Sequence, residues 1–282
     1  MAGMSVLAYE TWNVFTQRRF AGNPLAVVWG GDGLSGEDMQ LIAREFNYSE
    51  TVFICAANGA GGAAALRIFT PTMELPFAGH PTIGAALALL GAGKVRGSGC
   101  ELDVPAGRVD MTFAGEGDGV QARLTPPQIP QIVSQEVRSL EDVIGLAREA
   151  AILTATAGTA FAFVELGDQT SVDAAVIGPG LGAYIASLAC VGLYVFCKAG
   201  PENVYARLLA DEIGLSEDPA TGSAAAALAA VLAQQNAPLG DYIIQQGVQM
   251  GRPGEIYLTL KAGGNCTIGG YGVKVMAGTL EM

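Results

Sequence analysis

The sequence predicts an α+β protein made of two related halves, and three observations carry that expectation. The stretch Glu74-Leu-Pro-Phe-Ala-Gly79-His80 recurs in degenerate form as Glu217-Asp218-Pro-Ala-Thr-Gly222-Ser223, keeping Glu, Pro and Gly at the same offsets. Each copy leads into an Ala- and Leu-rich run of helical length. Around these runs, segments with strand character outnumber those with helical character. The 282 residues are long for one compact domain and suit two of about 130 to 140 residues each.

The elements follow in order. Val6 to Phe15 reads as a strand, and Gly22-Asn23-Pro24 introduces a second buried strand ending at Trp29. Ser35 with Asp38 three residues on forms a capping-box pattern, and Met39, Ile42 and Phe46 repeat at helical spacing, so a helix is expected over Gly36 to Phe46. Strands are expected over Thr51 to Cys55 and Leu66 to Thr70, then a helix over Pro81 to Leu90 that Gly91 and Gly93 end. Cys100 to Val104, Gly107 to Phe113 and Val120 to Leu124 read as strands. Thr125-Pro-Pro-Gln-Ile-Pro130 is stiff and extended, the best candidate for a linker. Beyond it the expectation is a helix over Leu140 to Ala150, a strand over Thr159 to Leu166 and a strand over Tyr205 to Leu209. A helix of nearly pure Ala, Leu and Val spans Ala224 to Gln235. Tyr242 to Gln249, Glu255 to Leu260, Cys266 to Ile268 and Val273 to Leu280 close the chain as strands.

Composition excludes several function classes. Half the residues are hydrophobic and only 15% are charged, so there is apolar surface for two cores and no sign of disorder. A formal charge of −12 argues against a basic surface for nucleic acid or anionic membrane. Five cysteines without CxxC spacing and a single histidine make a zinc site improbable, so no metal is expected. Met1 to Tyr9 lacks a basic segment followed by an apolar one, so a cytoplasmic protein with reduced thiols is expected. Ala174 to Cys197 is uncharged, but Gly178-Pro179-Gly180 and Gly182 break it. A buried helix near Tyr184 to Ala189 and a strand at Gly192 to Cys197 fit better than a membrane span.

The two glycine turns are where chemistry is expected to sit. A polar loop ahead of a helix points backbone N–H groups at a carboxylate or developing oxyanion, and polar groups on the two turns would meet in a cleft between the halves. His80, the sole histidine, stands at a helix N-terminus that disfavours an imidazolium, which suits a neutral ring hydrogen-bonding a substrate. Asp218 reads either as an N-cap, the commoner role for Asp, or as an acid/base. Glu50 reads as a solvated carboxylate or, among Phe46, Tyr48, Val52 and Phe53, as a carboxyl with a raised pKa.

Phe20-Ala-Gly-Asn-Pro-Leu-Ala-Val-Val28, Ala43-Arg-Glu-Phe-Asn-Tyr-Ser-Glu50-Thr, Phe69-Thr-Pro and both glycine-turn motifs together resemble the PhzF (phenazine biosynthesis-like) family, in that family's order and over nearly the whole chain. The resemblance implies a diaminopimelate-epimerase-like fold, α+β, with two pseudo-symmetric domains, each a mixed sheet or barrel wrapped around a central apolar helix. The domains would be residues 1–124, joined by the C-terminal strand 273–282, and residues 131–272. It further implies a cofactor-independent isomerase that moves a proton between carbons of a small carboxylated metabolite, in a homodimer with a biosynthetic role. Glu50 would be the general acid/base, and His80 and Asp218 would hold and polarise the substrate. Ser223 and the Gly79 and Gly222 amides would bind its carboxylate, with Asn23 and Ser49 as further substrate contacts. Racemases of this fold use one cysteine on each loop; neither loop here has one, which disfavours a two-thiol mechanism. The remaining alternatives are an epimerase or racemase using carboxylates and a non-catalytic metabolite-binding protein.

Overall fold

Strands buried along one face or nearly throughout, and two runs with no polar face, dictate an architecture of sheets around buried helices. In the computed structural model, residues 6–57, 62–212 and 215–282 are described. Residues 1–5, the start of the stretch read for a leader and of the expected first domain, lie outside them. The chain divides into two compact units, residues 1–127 with 269–282, and residues 128–268.

The first unit starts with β1 (Val6–Val14) and β2 (Asn23–Trp29), paired antiparallel. Gly22 makes the turn between them: its φ is +57° and a Cβ would fall 2.3 Å from the Val14 carbonyl oxygen. α1 (Gly36–Phe46) carries the expected capping box, with Ser35 Oγ accepting from the Asp38 amide and the Asp38 carboxylate accepting from the Ser35 amide. It buries Met39, Ile42 and Ala43 and crosses to β3 (Glu50–Cys55), parallel to β2. β4 (Ala64–Phe69) returns antiparallel and the short β5 (Glu74–Leu75) folds back on it. α2 (Gly79–Gly91) then crosses to β6 (Gly99–Val104), parallel to β4, and β7 (Gly107–Ala114) and β8 (Gln121–Leu124) follow as antiparallel neighbours. The C-terminal strand, Gly272–Glu281, pairs antiparallel with β1 and belongs to this unit.

The second unit repeats the plan. β9 (Gln131–Leu140), β10 (Leu146–Thr156) and β11 (Ala160–Glu165) pair antiparallel, with a single turn, α3 (Glu141–Ile144), between the first two. α4 (Gln169–Asp173) and α5 (Leu181–Ser187) cross to β12 (Leu193–Lys198), parallel to β11. β13 (Asn203–Glu212) returns antiparallel, and β14 (Leu215–Asp218) folds back on it. α6 (Gly222–Gln234) crosses to β15 (Gly240–Gln246), parallel to β13, and β16 (Gly254–Leu260) and β17 (Cys266–Gly270) complete the order. Each unit thus has two parallel crossovers, the first over a surface helix or helices and the second over a buried one.

The buried helices justify their composition. Every residue of α2 from Gly79 to Leu89 is buried, and α6 buries Gly222 and all of Ala224 to Leu232. α2 packs against β1, β2, β3, β4, β6, β8 and the C-terminal strand, and α6 against β9, β10, β11 and β16. Small side chains let strands close on the helix from several sides.

One expected element is wrong. The helix read over Leu140 to Ala150 is a single turn that Gly145, at φ +72°, stops, and the sequence on either side pairs as β9 and β10. A Cβ at Gly145 would meet Val176 Cγ2 at 2.7 Å. β9 is largely exposed, so it lacks the apolar alternation that marks a strand in sequence. Between Ala174 and Cys197 the expected short helix and strand appear as α5 and β12, and among the described residues no helix is long and apolar enough to cross a membrane.

Gly84 is the closest approach of α2 to its wrapping: a Cβ there would lie 2.3 Å from Leu25 Cδ2 and 2.9 Å from Val14 Cγ2. Both neighbours are fully buried and have nowhere to move. Overpacking costs about 1–3 kcal/mol and the helix-propensity gain of Ala over Gly returns about 1. Gly84→Ala is therefore expected to destabilise the protein by about 1 kcal/mol in urea unfolding; a stabilised variant would mean the sheet yields at this point.

Candidate active site

Five of the expected residues lie in the first unit. Asn23 opens β2, Ser49 ends the turn after α1, Glu50 opens β3, and Gly79 and His80 form the first turn of α2. Parallel pairing of β2 with β3 sets Leu25 opposite Glu50, which brings Asn23 close to the start of β3. Ser49 Oγ donates to Asn23 Oδ1 at 3.0 Å, and Asn23 Nδ2 lies 3.5 Å from His80 Nδ1. Glu50 Oε2 lies 3.5 Å from the same ring nitrogen. The His80 side chain is only 5% exposed and that of Glu50 17%.

This packing explains the state of the carboxyl. Burial pushes Glu50 up to about 7, and a hydrogen bond from Ser49 pulls it partly back. Oε2 is buried and makes no hydrogen bond among the described residues. The Asn23 amide gives its oxygen to Ser49 and so turns its NH2 toward His80 Nδ1, which selects the tautomer protonated on Nε2. With its Nδ1 lone pair turned to the Asn23 amide, the ring offers no proton to Oε2, so a carboxylate there gains nothing from it. The site therefore holds an acid that titrates near neutrality.

The other three residues belong to the second unit. Asp218 ends β14, and Gly222 and Ser223 open α6. Asp218 is not the N-cap: that position is Thr221, whose hydroxyl donates to Asp218 Oδ2 instead of capping the helix. No side chain caps α2 either, in contrast to Ser35 on α1 and Asp168 on α4. The two buried helices thus start with amides that no N-cap side chain answers, the arrangement expected for anion recognition.

The repeated motif also contains a structural part that sequence reasoning missed. Glu74 and Glu217, common to both copies, are each clamped by an arginine from the preceding long strand. Arg67 of β4 donates to Glu74 through Nε and Nη2, both at 2.7 Å. Arg207 of β13 donates to Glu217 at 3.0 and 2.8 Å and, through Nη1, to the carbonyls of Val172, Asp173 and Ala175. The signal available in sequence was an arginine in the strand ahead of each copy, at different spacing. Gln246, which meets the second loop, and Tyr194, which meets Gln246, had no local signal at all.

Among the described residues no group of His, Cys, Asp and Glu is arranged to hold a metal ion. All five cysteines are free thiols outside both loops; burial pushes Cys100 up to about 11 and Cys266 to about 12.

A family model described as phenazine biosynthesis-like protein matches residues 12–278. The chain belongs to the PhzF family. An uncharacterized isomerase of Mesorhizobium japonicum is 33% identical, over 98% of this chain and 99% of that one. A trans-2,3-dihydro-3-hydroxyanthranilate isomerase of Pseudomonas aeruginosa is 34% identical, over 91% of each. Among solved structures, a PhzF-family protein of Bacillus anthracis superposes with a TM-score of 0.85 at 21% identity, over 98% of this chain and 99% of that one. A hydroxyproline epimerase of Agrobacterium vitis gives a TM-score of 0.75 at 15% identity, over 98% and 93%. The fold is therefore the α+β architecture shared by PhzF proteins and proline-type epimerases, and the chain is an isomerase.

Two measurements test this PhzF-family site. Between about pH 4.5 and about 7 the folded chain holds the Glu50 proton that the unfolded chain has released, so stability falls as pH rises through that window. The loss is on the order of 3 kcal/mol. Glu50→Gln is expected to flatten this slope in urea titrations at a series of pH values; an unchanged slope would show that Glu50 titrates normally. For the clamps, the Arg207 and Glu217 side chains are each 11% exposed, against 34% for Arg67 and Glu74. Arg207→Leu strands a buried carboxylate and is expected to cost about 3 kcal/mol or more, Arg67→Leu less than about 1. Equal costs would refute the burial argument.

Proposed function

We propose that this PhzF-family chain is a cofactor-independent isomerase that moves a proton between two carbons of a small carboxylated, cyclic or conjugated metabolite, with Glu50 as general acid/base. The observation that carries the reading is a half-buried carboxyl raised to about 7 beside the only histidine. At neutral pH such a group is divided between its two forms, so it can take a proton from one carbon and return it to another.

The remaining residues take roles suited to their chemistry. His80, with its proton on Nε2, donates to an oxygen of the substrate and stabilises charge delocalised from the deprotonated carbon. Asn23 and Ser49 orient that ring and restrain Glu50. Asp218 and Ser223, with the Gly222 amide, are suited to holding a polar or anionic group at the start of α6, and the Gly79 amide to an anion at the start of α2. Thiols are unsuited to the proton transfer here, since those at Cys100 and Cys266 are pushed further from ionisation.

The name of the relative in Pseudomonas aeruginosa supports this substrate class, and the substrate in that name is the first compound to test. With trans-2,3-dihydro-3-hydroxyanthranilate in deuterated water, the protein is expected to yield an isomer labelled at a carbon other than the one deprotonated. Glu50→Gln is expected to slow labelling at least about 100-fold. Labelling that survives the substitution would remove Glu50 from the mechanism, and label returned to the original carbon with inversion would make the enzyme an epimerase.

A further inference from the structure

Gln246 is the last residue of β15, fully buried, and lies 25 positions beyond the second glycine turn in sequence. All of its amide is engaged. Its Oε1 accepts from the Tyr194 hydroxyl at 2.9 Å and from the Thr221 amide at 3.2 Å. Its Nε2 donates to the Asp218 carbonyl at 2.8 Å and to Thr221 Oγ1 at 2.9 Å. Thr221, having accepted there, turns its own hydroxyl proton to Asp218 Oδ2.

These bonds run in one direction. Tyr194 is fully buried, and burial first, then the charge of Asp218, pushes its hydroxyl further from ionisation, so it remains a donor. A donor at one end fixes the amide oxygen toward Tyr194, and its NH2 then faces the loop. The chain of donors ends on a carboxylate oxygen, the one acceptor it can serve. Immediately behind, Gly247 at φ +80° brings the backbone so close that a Cβ would lie 2.4 Å from the Pro219 carbonyl oxygen and 2.5 Å from that of Arg252. The loop is thus braced at its backbone and at its carboxylate by the same stretch of chain.

We infer that Gln246 is a positioning residue: through Thr221 it fixes the Asp218 carboxylate and the turn that starts α6. Its importance for turnover rests on the reading above that Asp218 acts on the substrate. The brace also explains why Thr221 does not cap α6. A hydroxyl held between Gln246 and Asp218 is not available to the first-turn amides.

Gln246→Glu tests the polarity of this chain, because it keeps the shape and changes only which atoms can donate. Ionised, the new side chain cannot donate to Thr221 or to the Asp218 carbonyl; protonated, it can donate to one of them. The titratable groups around it are Tyr194 on β12 and Asp218 on β14, with the Arg207–Glu217 pair beside Asp218. Hydrogen exchange by mass spectrometry on the full-length protein reads the loop directly. In the peptide covering 216–225, exchange in Gln246→Glu is expected to be about tenfold faster than wild type at about pH 9 and to return to within about twofold at about pH 5. The peptide over α2 should not change. Gln246→Met, which can donate at neither pH, should loosen the loop at both. Wild-type exchange in Gln246→Glu at both pH values, or equal loosening of both variants at both, would overturn the inference. If Gln246→Glu does not fold, Thr221→Val removes the hydroxyl that links Gln246 to the Asp218 carboxylate, and an unloosened loop there would overturn it equally. Turnover of trans-2,3-dihydro-3-hydroxyanthranilate separates the two readings: kcat is expected to fall about tenfold at about pH 9, with KM nearly constant. A loosened loop with unchanged kcat would leave the brace standing and remove Asp218 from the reaction.

Discussion

Each unit depends on burying a helix that has no charged residue and no polar face. α2 and α6 can exist only if strands close around them, and that requirement selects the parallel crossovers, the small side chains and the close approach at Gly84. It also sets where chemistry can happen. Inside a helix every amide is satisfied, but the first turn is left with N–H groups that need an acceptor. A loop leading into a buried helix therefore delivers polar backbone, and whichever side chains flank it, to one defined place.

The two copies of the glycine-turn motif divide their residues between scaffold and site. Glu74 and Glu217, identical in both copies, are tied to arginines and hold the loop to the strand before it. The positions that differ, His80 in one copy and Asp218 with Ser223 in the other, are the ones suited to handling a substrate. Repetition in this chain thus marks support, and departure from repetition marks the polar groups that a reaction can use.

Glu50 lies outside both copies and reaches the site because β3 runs parallel to β2. Its proton affinity is raised by burial, opposed by Ser49 and matched to a histidine ring nitrogen that Asn23 orients. The cysteines fall elsewhere, in surroundings that keep Cys100 and Cys266 protonated. A carboxyl near neutrality beside a neutral imidazole is suited to moving a proton without a thiolate.

Much of this was readable without coordinates. The capping box at Ser35, the apolar character of α2 and α6, and the strands around them follow from local spacing, because helix caps and periodicity involve residues three or four apart. The motifs identified the family and named Glu50, His80 and Asp218 as residues to watch. What only the tertiary structure decided involves partners far apart or patterns too weak to read locally. β9 and β10 replaced an expected helix because pairing across Gly145 outweighed helical preference. The arginine clamps, the burial that raises Glu50 and the hold of Gln246 on a loop 25 residues earlier each arise from strands brought side by side. Local sequence encodes what a segment can form; proton affinity and side-chain orientation depend on which segments surround it, and folding alone assembles that environment.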